Sequence, residues 1–182
     1  VTLLSLWDII ASASEKSVTG ALSGRMQLYP DNAPVTLFSL AEAMISQSDN
    51  TATDTLIRFI GREKLERFVN SFSEKKDLNV PFLKTSELFK IKSSTDVAEE
   101  YLRLDINDRR KMLDEIDNRE INIDSLDFSK PYLVNSLEWF FSPKDMCNIM
   151  SYFKVKNDSY TNTILSMNPG LDTKTAGYVW AG

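Results

Sequence analysis

Apolar residues recur along the chain at helical spacing in several separate stretches, with polar residues gathered at the joints between them. Over residues 36–47, Leu37, Leu40, Ala41, Met44 and Ile45 fall on one helix face at the i, i+3, i+4, i+7 and i+8 positions. Pro34 stands just upstream, and Thr36 can cap the start. A second helix is expected over residues 51–60, with Asn50 or Thr51 as its capping residue and an acid at Asp54. Gly61 suits a helix end in the left-handed conformation. A third helix packs through Leu65, Phe68, Val69 and Phe72. A charge-rich insert over residues 85–124 holds expected helices at 95–104 and 107–117, the latter packing through Met112, Leu113 and Ile116. The insert is expected to form a helical flap whose apolar residues are core. Ser142 as N-cap, Pro143 at N1 and Asp145 at N3 open another helix, with Met146, Ile149, Met150 and Phe153 on one face. Residues 178–181 read as a strand cut short.

With 182 residues, 42% of them hydrophobic, the chain is long enough for a single domain, 1–182, with a sizeable core. It opens on Val1 and closes inside an apolar run, and truncation at both ends is expected. A net charge of -5 argues against a nucleic-acid partner or an anionic membrane surface, both of which call for clustered lysine and arginine. Arg109-Arg110-Lys111 alternates with acids and reads as a solvated helix face. No stretch is long and apolar enough to be a transmembrane segment. Histidine is absent, which removes a Ser-His-Asp triad, a His-ligated zinc site and a histidine base, and leaves Lys, Glu, Asp or Tyr for proton transfer. Cys147, the only cysteine, sits in an apolar helical pattern and reads as a small core residue.

The polar run Ser48-Asp49-Asn50, continued by Thr51-Ala52-Thr53-Asp54, falls at the corner between the first two helices. A hydroxyl and a carboxamide held on a backbone packed at both ends have the fixed geometry that a site needs. The plainer alternative is that Ser48 and Asn50 only cap the second helix.

The surrounding order is Pro34-Val35-Thr36-Leu37, Leu40-Ala41-Glu42, the gapless stretch from Met44 through the polar run to Leu56-Ile57, and then Gly61-Arg62-Glu63. It resembles the class A serine β-lactamase family and its penicillin-recognising relatives, whose signature set includes the Ser-Asp-Asn box. Ser142-Pro143-Lys144-Asp145-Met146 is similar to the helix start that follows the omega loop in those enzymes. The resemblance implies an α/β (α+β) fold of the β-lactamase/transpeptidase type, represented here mostly by the helical domain with part of an antiparallel sheet. It implies hydrolysis of a β-lactam or a D-alanyl peptide amide through an acyl-enzyme. Ser48 would relay a proton, Asn50 would hold the substrate's amide carbonyl, and Asp49 would point inward as a structural part. The implied partner is a small-molecule β-lactam or a peptidoglycan-type peptide, the location periplasmic or secreted, and no metal or organic cofactor is called for. A binding or scaffold protein that keeps the fold without turnover is the alternative.

The family's Ser-x-x-Lys helix precedes the Ser-Asp-Asn box by more chain than stands before Ser48, so the nucleophile and its lysine are expected outside this sequence. Ser73-Glu74-Lys75-Lys76 and Ser151-Tyr152-Phe153-Lys154 match the spacing and both read as structural, the first because it lies in a polar run closing a helix, the second because it follows the box and would serve only in a circularly permuted chain. The Lys-Thr-Gly box is expected just past Gly182, with Lys174 of Lys174-Thr175-Ala176-Gly177 as the fallback. Glu66 and Asn70 have the Glu-x-x-x-Asn spacing of the omega loop but read as a solvent-facing helical pair. Glu138, flanked by Leu137, Trp139, Phe140 and Phe141, is the candidate for the deacylating base, against the plainer reading of an exposed acid at the start of a helix.

Overall fold

Two short strands and eight α-helices make up the described part of the computed structural model, which comprises residues 10–13, 24–30, 32–118, 126 and 130–167. The expected strand at 178–181 lies outside these residues. β1 (Ile10–Ala13) pairs antiparallel with β2 (Ala33–Thr36), Ile10 opposite Thr36 and Ala13 opposite Ala33. Four-residue strands leave too short an alternation to be read from sequence, and only the helix start beside Pro34 was legible there.

α1 (Leu37–Gln47) begins as expected, the Thr36 hydroxyl accepting the Ser39 amide at 3.0 Å. Its buried side consists of Leu37, Leu40, Ala41 and Ala43, while Ile45 is exposed. The face is turned toward Ala43 because α2 (Asn50–Ile60) packs there through Ala52. Gly61, at φ +87, is the whole connection to α3 (Arg62–Asn70). A 3-10 turn, Lys76–Asn79, follows. Beyond it come α4 (Thr85–Lys92), α5 (Thr95–Arg103), α6 (Ile106–Ile116), α7 (Pro143–Lys156) and α8 (Ser159–Ser166).

Apolar burial divides into two clusters. The smaller gathers Met26, Val35, Leu37, Leu40, Ala43 and Ala52 beneath the α1–α2 corner. The larger joins Leu83, Leu88, Ile91, Ala98, Tyr101, Met112, Leu113, Ile116 and Leu137. Most of the larger cluster comes from the segment expected to be a flap. The insert is therefore a packed subassembly, because α4, α5 and α6 each turn an apolar face onto the same centre.

Four other expectations are corrected. Arg109 and Arg110 do not form a solvated face: Arg109 caps α5 by donating to the carbonyls of Tyr101 and Leu102 at 3.0 Å each, and its guanidinium lies 5.0 Å from the centre of the Tyr101 ring. Arg110 pairs with Glu66 at 2.5 Å. Glu66 is buried, its other oxygen accepting the Phe82 amide at 2.9 Å, so it is no solvent-facing partner of Asn70. Phe68, expected on the packing face of its helix, is exposed and shares an edge-to-face contact with Tyr152 of α7.

Cys147 is exposed, contrary to its reading as a core residue. Asp145 is the buried residue of α7, and two positions on, at about 100° per residue, points to the opposite side. The capping box itself is present, with Asp145 accepting the Ser142 amide at 2.8 Å and the Asp145 amide donating to the Ser142 hydroxyl at 3.1 Å. Asp145 also accepts from the Glu74 amide at 2.9 Å and the Ser73 hydroxyl at 3.1 Å, which ties α7 to the segment after α3. These donors, the Ser142 amide foremost, hold the Asp145 carboxyl below its ordinary value.

Candidate functional site

The α1–α2 corner is built from three consecutive residues with three different environments. Ser48 ends α1 in the left-handed conformation, φ 52 and ψ 42, and is exposed. Asp49 is fully buried and caps α2, correcting the assignment of that cap to Asn50 or Thr51. Asn50 is the first residue of α2 and is half-buried. The amides of Ser48 and Asp49 both donate to the Ala43 carbonyl, closing the end of α1 in the manner of a left-handed helix cap.

Asp49 fixes the corner from inside. One carboxylate oxygen accepts the Ala52 amide at 2.9 Å, and the other accepts the Met26 amide at 2.8 Å. The second bond fastens a strap, residues 24–28, against the corner, and Met26 drops into the smaller apolar cluster. Gly24 passes so close that it must be glycine: its φ is +98, and an added Cβ would clash with the Asp49 carboxylate. Glycine spacing upstream of the box could have signalled this contact, but the 25 positions between the partners hide it from any local pattern.

Asp54, one turn along α2 from Asn50, carries a role that sequence reasoning did not assign. Its buried carboxylate accepts the amides of Thr85 at 2.6 Å and Ser86 at 2.9 Å, the free donors at the start of α4. Lys84 gives its amide to Glu87 at 2.7 Å, completing the cap. Burial pushes the Asp54 carboxyl above its ordinary value, against the lowering effect of the Ser86 and Thr85 donors. Asp54 therefore links the corner helix to the larger cluster through hydrogen bonds in a dry setting.

The other predicted residues are dispersed. Glu138 is not at a helix start; it lies in the loop four residues before the Ser142 cap, 31% exposed and ion-paired with Lys92 of α4. It lines a cavity to which neither Ser48 nor Asn50 contributes. Lys174 lies outside the described residues. Ser73 is buried and gives its hydroxyl proton to Asp145, while Ser151 sits exposed on α7. No cluster of metal-ligating side chains is found among the described residues, and no described helix is long and apolar enough to cross a membrane.

The corner thus offers an exposed hydroxyl next to a half-buried carboxamide on a backbone that cannot shift without breaking Asp49's bonds. Such a pair can pass a proton to a leaving group and hold a carbonyl or amide. A family model described as "Beta-lactamase enzyme family" matches residues 8–152. No curated protein matches the chain.

Proposed function

Starting from the chain's membership of the β-lactamase enzyme family, we propose that it serves a serine hydrolase of the class A β-lactamase or D,D-peptidase type. A serine oxygen attacks the carbonyl of a β-lactam or a D-alanyl peptide amide, the carbon–nitrogen bond breaks, and water later cleaves the acyl ester. Ser48 passes a proton to the departing nitrogen, a contribution of about 10² to 10⁴ in rate for a positioned acid–base group. Asn50 holds the substrate's amide carbonyl, and Asp49 keeps both in place. The attacking serine is neither Ser73, whose hydroxyl is given to Asp145, nor the exposed Ser151, and comes from outside the described residues. Lys174 stands as the chain's own candidate for the third box. The substrate class places the work in the periplasm or outside the cell.

The observation that carries this reading is Ser48's left-handed backbone. Glycine or asparagine adopts that conformation at less cost, and a serine kept there at an exposed corner suits a hydroxyl retained for its chemistry.

Glu138, ion-paired with Lys92 on a cavity apart from the Ser48 corner, is given no part in this chemistry. A binding protein without turnover is the alternative.

The test is incubation of the intact protein that carries this chain with a fluorescent penicillin, followed by mass analysis of the adduct. Covalent labelling is expected, slowed by at least about 10² in Ser48→Ala and Asn50→Ala. Labelling unaffected by both substitutions would remove the assigned roles, and no labelling at all would leave the binding protein as the reading.

A further inference from the structure

A cavity of about 560 Å³ lies between the end of α4, the start of α5 and the loop before α7, a volume within the range of small-molecule sites. We propose that it binds a small amphiphilic carboxylate, an aryl or alkyl body carrying one negative charge, as a site separate from the Ser48 corner. The proposal does not depend on the serine chemistry.

The loop that carries Val134 and Glu138 is tied to its neighbours. Trp139 donates its indole N–H to the Leu83 carbonyl at 3.0 Å, and Asn79 and Phe140 exchange two hydrogen bonds at 2.8 Å each. Leu137 is buried in the larger apolar cluster, and Leu133 holds the loop's turn at φ +55, a conformation a leucine keeps only where its surroundings impose it. A wall fixed in this way is ready before a ligand arrives, which lowers the ordering cost of binding.

The lining sets the ligand's chemistry. Phe89, Leu126, Pro131 and Val134 supply apolar surface, and Val134 is 46% exposed, so the surface is open to a visitor. The Lys92 ammonium and the Glu138 carboxylate neutralise one another. Lys130, also on the lining, has no ion-pair partner among the described residues, and the Tyr132 side chain stands beside it in sequence with its ring partly exposed. Among the described residues, the cavity lining therefore presents one positive charge without an ion-pair partner, in a chain whose net charge is -5. A single ammonium on an apolar floor matches a monoanion with a hydrophobic body, and the described lining residues include no guanidinium fork to hold a phosphate dianion.

The experiment is a titration of the whole chain with phenylacetate and with decanoate, following backbone amides and the Trp139 indole N–H by NMR, with 2-phenylethanol as the uncharged control. Saturable shifts are expected at residues 89–95 and 130–139, with phenylacetate binding about two- to five-fold tighter than the alcohol, as an exposed ion pair warrants. Lys130→Gln is expected to abolish that preference, Lys130→Arg to keep it, and Val134→Trp to block binding by filling the cavity. Lys130 and Val134 are exposed, and unchanged thermal unfolding of the variants separates lost binding from lost folding. Ser48→Ala is expected to bind normally. Equal binding of acid and alcohol, shifts mapping elsewhere, or binding indifferent to Val134→Trp would overturn the proposal.

Discussion

A Cβ placed on Gly24 would stand 2.0 Å from the Asp49 Oδ2 atom, closer than any non-bonded carbon and oxygen can approach. Gly24→Ala therefore has to displace either the strap or the carboxylate, and the glycine's positive φ adds strain. The expected loss is about 1–3 kcal/mol, the usual cost of overfilling a packed site. Chemical denaturation measures it. Combined with Asp49→Ala the two losses should overlap by more than about 0.5 kcal/mol, since both break the same contact; simple additivity would mean that the strap does not dock there.

Ser48→Gly should separate stability from activity. Glycine adopts the left-handed conformation without the side-chain penalty, so the unfolding midpoint should rise, by an amount corresponding to about 1 kcal/mol. Acylation by a penicillin should slow by about 10² or more. A variant that is less stable and equally reactive would mean the serine serves the helix end alone.

The Asp54 carboxyl is raised by burial, so its contribution to stability is present below the unfolded-state value near ~3.9 and is lost as pH rises through the folded-state value. Asp54→Asn removes that dependence. At neutral pH the amide can accept from only one of the two amides at the start of α4 and should cost about 1–3 kcal/mol. Denaturation curves across a pH series test both statements, and an unchanged slope would show that Asp54 does not titrate in the folded protein.

Asp145 runs the other way. Its carboxyl is lowered by its donors, so the stability it adds is complete above the unfolded-state value and disappears as pH falls through the folded one. Asp145→Asn should flatten the acid side of the stability curve. Protection from hydrogen exchange at the start of α7, taken relative to the intrinsic rate at each pH, should fall in acid in the parent protein and be low at all pH values in the variant.

Local signals were legible in the sequence. Thr36 and the Ser142–Asp145 box sit within three residues of the amides they cap, so spacing alone reveals them. The apolar positions of α6 were legible for the same reason, since Met112, Leu113 and Ile116 repeat at helical intervals. Contacts between distant residues were not. Glu66 looked like a surface acid because its partners, Phe82 and Arg110, stand 16 and 44 positions away. Cys147 looked buried because the pattern around it is apolar, whereas α7 is anchored by Asp145. At the corner, sequence assigned the cap to Asn50 or Thr51 where Asp49 holds it, a shift too small for propensity to resolve. Gly24 and Asp54 escaped notice because each acts through a backbone group elsewhere in the chain.

Asp54 also makes the two halves of this fold mechanically answerable to one another. The start of α4 is bonded to the second turn of α2, one turn from the carboxamide of Asn50. A deletion between Pro81 and Lys84 would shorten the tether and drag the bend out of register. Tuning of this protein's chemistry by distant change would then enter through the tether.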